Sequence, residues 1–204
     1  KLLNKIAPVG IEVFDKTKYY VSENAESPEG IMVRSADLLN AEFGPELKAI
    51  ARAGAGVNNI PVKKCAENGI VVFNTPGANA NGVKELTICA LFLASRGIVR
   101  GVEWAESLAG TDSIAKAVEK GKSSFAGVEI AGKTLGVIGL GAIGGMVANS
   151  VRHLDMKVVG CDPYISVDAA WRLSRDIEKA ASYEDIYKVA DYITLHVPST
   201  PDTK

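Results

Sequence analysis

An α/β fold built on doubly wound parallel sheets is predicted by three observations. Short apolar strands alternate with amphipathic helical stretches along nearly the whole 204-residue chain, the pattern of βαβ units. Gly139, Gly141 and Gly144 stand in G-x-G-x-x-G order between an apolar strand, Thr134–Ile138, and a helical pattern with Ile143, Val147, Val151 and Leu154 on one face. A second apolar strand, Lys157–Cys161, ends at Asp162, 18 residues after Gly144. A lone glycine motif is weak evidence. Strand, glycines, helix, strand and acid in order within about 30 residues match a whole βαβ unit.

Each part of that unit has a physical task. Gly139 permits a tight turn, Gly141 lets the backbone approach a pyrophosphate, and Gly144 lets the helix pack on the strand. The helix N-terminus offers unpaired N–H groups and partial positive charge to an anion. The Asp162 carboxylate can accept hydrogen bonds from ribose 2′- and 3′-hydroxyls. A 2′-phosphate beside it would be repelled by about 4 kcal/mol per unit charge at about 4 Å and an effective dielectric of about 20. No Arg or Lys follows to receive a phosphate, since Pro163 and Tyr164 come next. The unit therefore predicts a dinucleotide site that favours NAD over NADP.

Composition excludes other classes. Apolar residues make up 47% of the chain, enough for a sizeable core, and the net charge is −1 with no long basic run. This argues against nucleic acid as a partner, which needs a concentrated cationic face. The longest apolar run, residues 88–94, is too short to span a bilayer, and the first ten residues lack a signal-peptide core. Cys65, Cys89 and Cys161 have no metal-ligand spacing, so no metal is expected, and reduced thiols in the cytoplasm are the natural reading. Cys89 and Cys161 fall in apolar patterns and read as core. The chain begins without Met and stops just past a strand, so it is expected to be part of a longer protein.

Taken in order, residues 2–6 read as a strand and Pro8 opens a short helix. Residues 19–21 and 31–34 read as strands, and Ser35 as the N-cap of a helix over residues 36–40. Residues 48–53 form a strand ending in Gly54-Ala55-Gly56. Pro61 suits the first turn of a helix that Gly69 ends, and residues 70–73 form another strand. Asn74 to Asn79 is a turn cluster and hinge. A long helix over residues 82–108 is predicted, apolar all round near residues 88–94 and so buried between layers. A short helix lies near residues 114–120. After Asp162 come a helical piece at residues 167–173, a capping-box helix starting at Ser182, and a strand over residues 191–196.

Five segments also carry a family resemblance: RAGAGVNNIP at residues 52–61, NTPGANANGVKEL at 74–86, GKTLGVIGLGAIG at 132–144, CDPY at 161–164 and LHVPSTPDTK at 195–204. In this order they resemble the NAD-dependent D-2-hydroxyacid dehydrogenases, and within them the branch acting on D-3-phosphoglycerate. The resemblance implies a flavodoxin-like substrate domain over residues 1–98, and the first half of a Rossmann NAD-binding domain over residues 99–204, with a cleft between them. It implies that Ala53, Gly54, Ala55 and Gly56 present backbone N–H groups to a substrate carboxylate, with Arg52 nearby and Arg34 helping to hold a phosphate. It further implies that Thr75 contacts cofactor, that the backbone of Ala142 and Ile143 holds the pyrophosphate, and that Val197 and Pro198 wall the adenine side.

Two departures bear on substrate: NNIP replaces a more acidic version of its motif, and Val83-Lys84 replace small residues before Glu85. The family's catalytic Arg, Glu and His match positions downstream of Lys204, so no catalytic residue is expected here. His153 and His196 read as surface and structural histidines. The resemblance implies a small D-2-hydroxyacid substrate, phosphorylated in the phosphoglycerate branch, and a homodimer through the nucleotide domain. It implies hydride transfer to NAD at the entry to serine biosynthesis, while this portion alone is expected to be inactive. A dehydrogenase for another D-2-hydroxyacid, an NAD-responsive corepressor module of the same fold, like the C-terminal binding proteins, and a Rossmann enzyme such as a methyltransferase are the rivals.

Overall fold

In the computed structural model, residues 1–198 and Thr203 are described; Ser199, Thr200, Pro201, Asp202 and Lys204 of the LHVPSTPDTK segment lie outside them. The chain divides into two compact units, Lys1–Asn79 and Ala80–Lys204.

In the first unit, β1 (Gly30–Val33), β2 (Ala49–Arg52) and β3 (Val71–Phe73) form a parallel sheet in that order. Strand alternation sends Ile31, Val33, Ile50 and Val72 to one face. There they pack with Leu38, Leu47, Ile60, Cys65 and Ile70. α2 (Val62–Glu67) follows Pro61 and ends before Gly69, whose φ of 71° suits a helix stop. α1 (Pro8–Glu12) buries none of its residues.

The N-terminal strand shrinks to a bridge between Leu2 and Met32. Leu2 N–H donates to Ser22 O (3.1 Å) and Leu3 N–H to Met32 O (3.0 Å), so the segment lies between residue 22 and β1. It stops there because Asn4 turns inward: its Oδ1 accepts from the N–H groups of Arg34, Ser35 and Ala36 at 2.8, 3.0 and 3.1 Å. The helix expected over residues 36–40 is not formed; Leu38 N–H donates to Asn59 O at 2.8 Å and Leu39 N–H to Asp37 Oδ1 at 2.9 Å. Residues 19–21 form no strand either.

The second unit holds four parallel strands in the order β6 (Ile177–Lys179), β5 (Lys157–Cys161), β4 (Thr134–Ile138), β7 (Tyr192–Leu195). Both faces are covered. Leu135, Val137 and Val158 meet Leu91 of α3 (Ala80–Ser95) and Val147, Ala148 and Val151 of α6 (Ala142–Val151). Ile138, Val159 and Cys161 meet Ile186 of α8 (Tyr183–Val189). α7 (Val167–Trp171), capped by Ser166, falls within the helical piece expected over residues 167–173, and Ser182 caps α8 as expected, its Oγ accepting from Asp185 N–H at 3.3 Å.

Three features correct the sequence reading. The long helix is broken into α3 and α4 (Ile98–Ser107). The Ser95 carbonyl accepts from Val128 N–H at 3.0 Å, and a Cβ on Gly127 would overlap that carbonyl, so the returning segment ends α3 there. Cys89 and Ala90 on α3 are exposed, so the helix buries one side only. The third feature is β6, a three-residue edge strand whose exposed Glu178 and Lys179 hid it. With β6 present the order is 3-2-1-4 counted from β4, and β7 is the first strand beyond the topological switch point.

Between α4 and β4 lie α5 (Ile114–Gly121), near its expected place, and Phe125, which packs on Trp104 of α4 with ring centroids 4.9 Å apart. A Cβ on Gly121 would overlap the Trp104 ring, which fixes the close approach of α5 to α4.

Candidate functional site

Open α/β sheets bind ligands beyond the carboxyl ends of their strands, at the switch point. In the second unit that point falls between β4 and β7, where the predicted glycines lie. Gly139 follows β4 with φ of 89°, a region that penalises any Cβ. Its N–H donates to Cys161 O at 2.9 Å. A Cβ here would come within 2.8 Å of Val197 Cγ1, at the end of β7. Gly144 is as constrained, because a Cβ would overlap the Gly139 carbonyl oxygen. Gly141 differs: a Cβ would meet nothing within 4 Å. Two of the three glycines therefore serve internal packing, and the third leaves an open approach.

That approach faces the start of α6. Gly141 is its N-cap; no side chain caps the helix and no acid stands in its first turn. The N–H groups of Ala142 and Ile143 begin the helix, with the partial positive charge of its N-terminus. An anion the size of a pyrophosphate fits this donor set. Asp162, half-buried, stands at the end of β5 beside it. Its Oδ2 accepts from Leu140 N–H at 2.9 Å and its Oδ1 from Tyr164 N–H at 2.9 Å. Val197 packs on the β4–β5–α8 cluster, and Pro198 is exposed beyond it. The structure thus brings Gly139, Gly141, Ala142, Ile143, Gly144, Asp162 and Val197 to one end of one sheet.

His196 lies in the same place. Its backbone N–H donates to Ile138 O at 2.8 Å, and its Nε2 is 3.0 Å from Thr194 Oγ1. Burial holds its imidazole below the ordinary histidine range. His153 is exposed on the turn after α6.

The predicted substrate residues gather in the first unit, at the carboxyl end of β2. Ala53 N–H donates to Val33 O (2.8 Å) and Gly54 N–H to Arg52 O (2.9 Å), which shapes the loop. Among the described residues nothing accepts from the N–H groups of Ala55 or Gly56. Two successive free N–H groups are the donors that an anion nest would use. Arg52 braces the loop: its Nη1 donates to Gly56 O and, at 3.4 Å, to Asn58 Oδ1, and its Nε to Arg34 O at 3.1 Å. The Arg34 side chain is exposed. Neither guanidinium is paired with a carboxylate among the described residues.

Thr75 belongs to this loop. Its N–H donates to Gly54 O at 3.0 Å and its hydroxyl to Arg52 O at 3.4 Å. Asn74, which the sequence reading passed over, donates from Nδ2 to Ala55 O at 2.6 Å. Its place beside Thr75, just after β3, was the available signal.

The comparisons with known proteins agree with this geometry. Residues 91–204 match the family model of the D-isomer specific 2-hydroxyacid dehydrogenase, NAD binding domain. The chain belongs to that family. The cofactor expected from the glycines and Asp162, NAD, is the one its matched domain takes. Over 207 residues the chain is 37% identical to the D-3-phosphoglycerate dehydrogenase of Methanocaldococcus jannaschii, covering 100% of this chain and 37% of that protein. Among solved structures, it is similar to the D-lactate dehydrogenase of Aquifex aeolicus complexed with NAD and lactic acid. That match has a TM-score of 0.70 and 27% identity, over 87% of this chain and 50% of that one. It is also similar to the NAD+-bound 3-phosphoglycerate dehydrogenase of Entamoeba histolytica. Here the TM-score is 0.62 and the identity 30%, over 92% of this chain and 53% of that one. The chain thus spans little more than a third of that curated relative and about half of the solved ones. No helix among the described residues is long and apolar enough to cross a membrane.

Proposed function

We propose that this chain supplies the substrate-binding and NAD-binding residues of a D-2-hydroxyacid dehydrogenase, and that the hydroxyacid is D-3-phosphoglycerate, oxidised to 3-phosphohydroxypyruvate at the entry to serine biosynthesis. The carrying observation is the uncapped start of α6, open at Gly141, with the Asp162 carboxylate fixed beside it. In this reading the N–H groups of Ala142 and Ile143 hold the pyrophosphate. Asp162 accepts from the adenosine ribose hydroxyls, and Val197 and Pro198 border the adenine. NAD, when bound, supplies a hydride acceptor for C2 of the hydroxyacid.

In the first unit, the nest at Ala55 and Gly56 holds the substrate carboxylate, and Ala53 and Gly54 set its shape. Arg52, Asn74 and Thr75 keep the nest open by occupying the carbonyls around it. The exposed, unpaired Arg34 is placed to receive a phosphate, which suits a guanidinium. Support for the phosphorylated substrate comes from the phosphoglycerate dehydrogenases similar to this chain and from two arginines without acidic partners. The groups that move the hydroxyl proton and polarise the developing carbonyl are assigned outside these 204 residues, and the chain alone is expected to turn over no hydroxyacid. We also place the enzyme in the cytoplasm, as a homodimer through the nucleotide unit.

NADH formation by the full-length protein, with D-3-phosphoglycerate, D-lactate and D-glycerate in parallel, tests this reading. Preference for D-3-phosphoglycerate is expected. Equal or better turnover of an unphosphorylated acid would remove the phosphate role of Arg34. NAD binding without turnover of any of the three would favour a binding module.

A further inference from the structure

We infer that Asp162 is a positioning residue for the glycine loop as well as a ribose ligand, so that one carboxylate couples the ribose and pyrophosphate subsites. The inference deepens the nucleotide reading above. It starts from the Leu140 peptide, the middle of the Gly139-Leu140-Gly141 turn. The Leu140 side chain is buried and fills the space left by Gly160 on β5, where a Cβ would lie 2.9 Å from Leu140 Cδ1. Its N–H is held from the other direction by Asp162 Oδ2, across 22 residues of sequence. On one side stands Gly139, at positive φ with its N–H held by Cys161 O, and on the other Gly141, with open space around it. Asp162 is itself held by Tyr164 N–H at Oδ1.

Lone-pair accounting makes the two roles compatible. An ionised carboxylate offers about four acceptor sites on its two oxygens. Two are taken by Leu140 and Tyr164, which leaves one on each oxygen for the two ribose hydroxyls. The carboxylate is thereby preorganised before any nucleotide arrives, and the loop is preorganised by the same group. An amide cannot do both. Asn at this position has one acceptor oxygen and an NH2 that opposes one of the two N–H donors.

The test uses Asp162→Asn and Asp162→Ala in the full-length protein, read by amide hydrogen exchange without ligand. The clamp predicts that exchange at Leu140 and Tyr164 rises about ten- to a hundredfold in Asp162→Ala. In Asp162→Asn it should rise at one of the two. The β4 amides of Val137 and Ile138 should keep their protection in both variants. Unchanged exchange at Leu140 in Asp162→Ala overturns the inference. If Asp162→Ala loses protection throughout β4, Asp162→Asn decides instead: faster exchange at Leu140 or Tyr164 alone supports the clamp, and at neither overturns it.

A second arm separates the clamp from the ribose role. ADP and 2′,3′-dideoxy-ADP are titrated into wild type and Asp162→Asn. A ribose-only role predicts that dideoxy-ADP binding is unaffected by the substitution, which would overturn the clamp. The clamp predicts weakening of both ligands, by roughly fivefold or more for dideoxy-ADP. Failure of wild type to bind either nucleotide would count against the proposed function, while the exchange measurement would still decide the clamp.

Discussion

The two units fix their loops by different means. In the nucleotide unit close packing sets both ends of the loop, and the Asp162 carboxylate adds one bond at its middle, Leu140. Gly144 seats α6 on the Gly139 carbonyl, Gly139 seats β4 against the end of β7, and the sheet beneath is covered on both faces. In the first unit the loop at residues 53–56 is set by polar side chains: Arg52, Asn74, Thr75 and, through β1, Asn4. Its sheet is covered on one face, while Val71 and Phe73 on the other are 52% and 57% exposed. Packing tolerates no added atom, whereas hydrogen bonds can be lost one at a time. The glycine loop should therefore fail abruptly on substitution and the loop at residues 53–56 by degrees.

The largest expected effect breaks the packed loop. Gly144→Ala places a methyl on a backbone oxygen that cannot rotate away, costing about 3 kcal/mol, the upper end for overpacking. Thermal unfolding together with ADP titration should show both stability and nucleotide binding reduced. If the variant binds ADP like wild type, the loop is not held by packing. Next is Arg52→Ala, which frees the carbonyls of Arg34 and Gly56 for about 2 kcal/mol, with the side chain half exposed. Hydrogen exchange should quicken at residues 53–57 and stay unchanged in β4 and β5. Arg52→Lys should not restore protection, because an ammonium lacks the planar fork that reaches three acceptors.

A smaller effect comes from Gly69→Ala in the first unit. Here φ is 71° but nothing lies within 4 Å of a Cβ, so only backbone strain of about 1 kcal/mol is added. The contrast with Gly144→Ala in the same unfolding experiment separates strain from overlap. The smallest concerns pH. Burial lowers the His196 pKa in the folded chain, so the unfolded state binds that proton more readily. The associated stability is complete above the unfolded value, about 6.5, and is lost as pH falls through it toward the folded one. The unfolding midpoint should decline between about pH 7.5 and about pH 5.5, and His196→Gln should flatten that decline. An identical decline in His196→Gln would assign it to other groups.

The nucleotide loop was legible because its causes are local in sequence. A strand, three glycines at fixed offsets and an acid at the next strand end specify β4, α6 and β5 almost residue for residue. The first unit was less legible because its causes are distant. Nothing near Ser35 reveals that Asn4 will take three N–H groups 30 to 32 residues away. The same holds at one point of the second unit, where nothing near Ser95 reveals that Val128 will claim its carbonyl and end α3. The place of Asp162 after β5 predicts a ribose ligand, yet its bond to Leu140 depends on the turn geometry. The free donors at Ala55 and Gly56, out of the four expected at residues 53–56, likewise emerged only with the fold.

The central claim is that the switch point between β4 and β7 is an NAD site, discriminating by Asp162. Amide chemical shifts of the 204-residue chain, followed while NAD and then NADP are titrated, test it most directly and tolerate weak binding. The account predicts that NAD perturbs the amides of residues 139–145 and Val197, at concentrations where NADP leaves them nearly unmoved. Equal response to NADP, or NAD-induced shifts that spare residues 139–145, would contradict it.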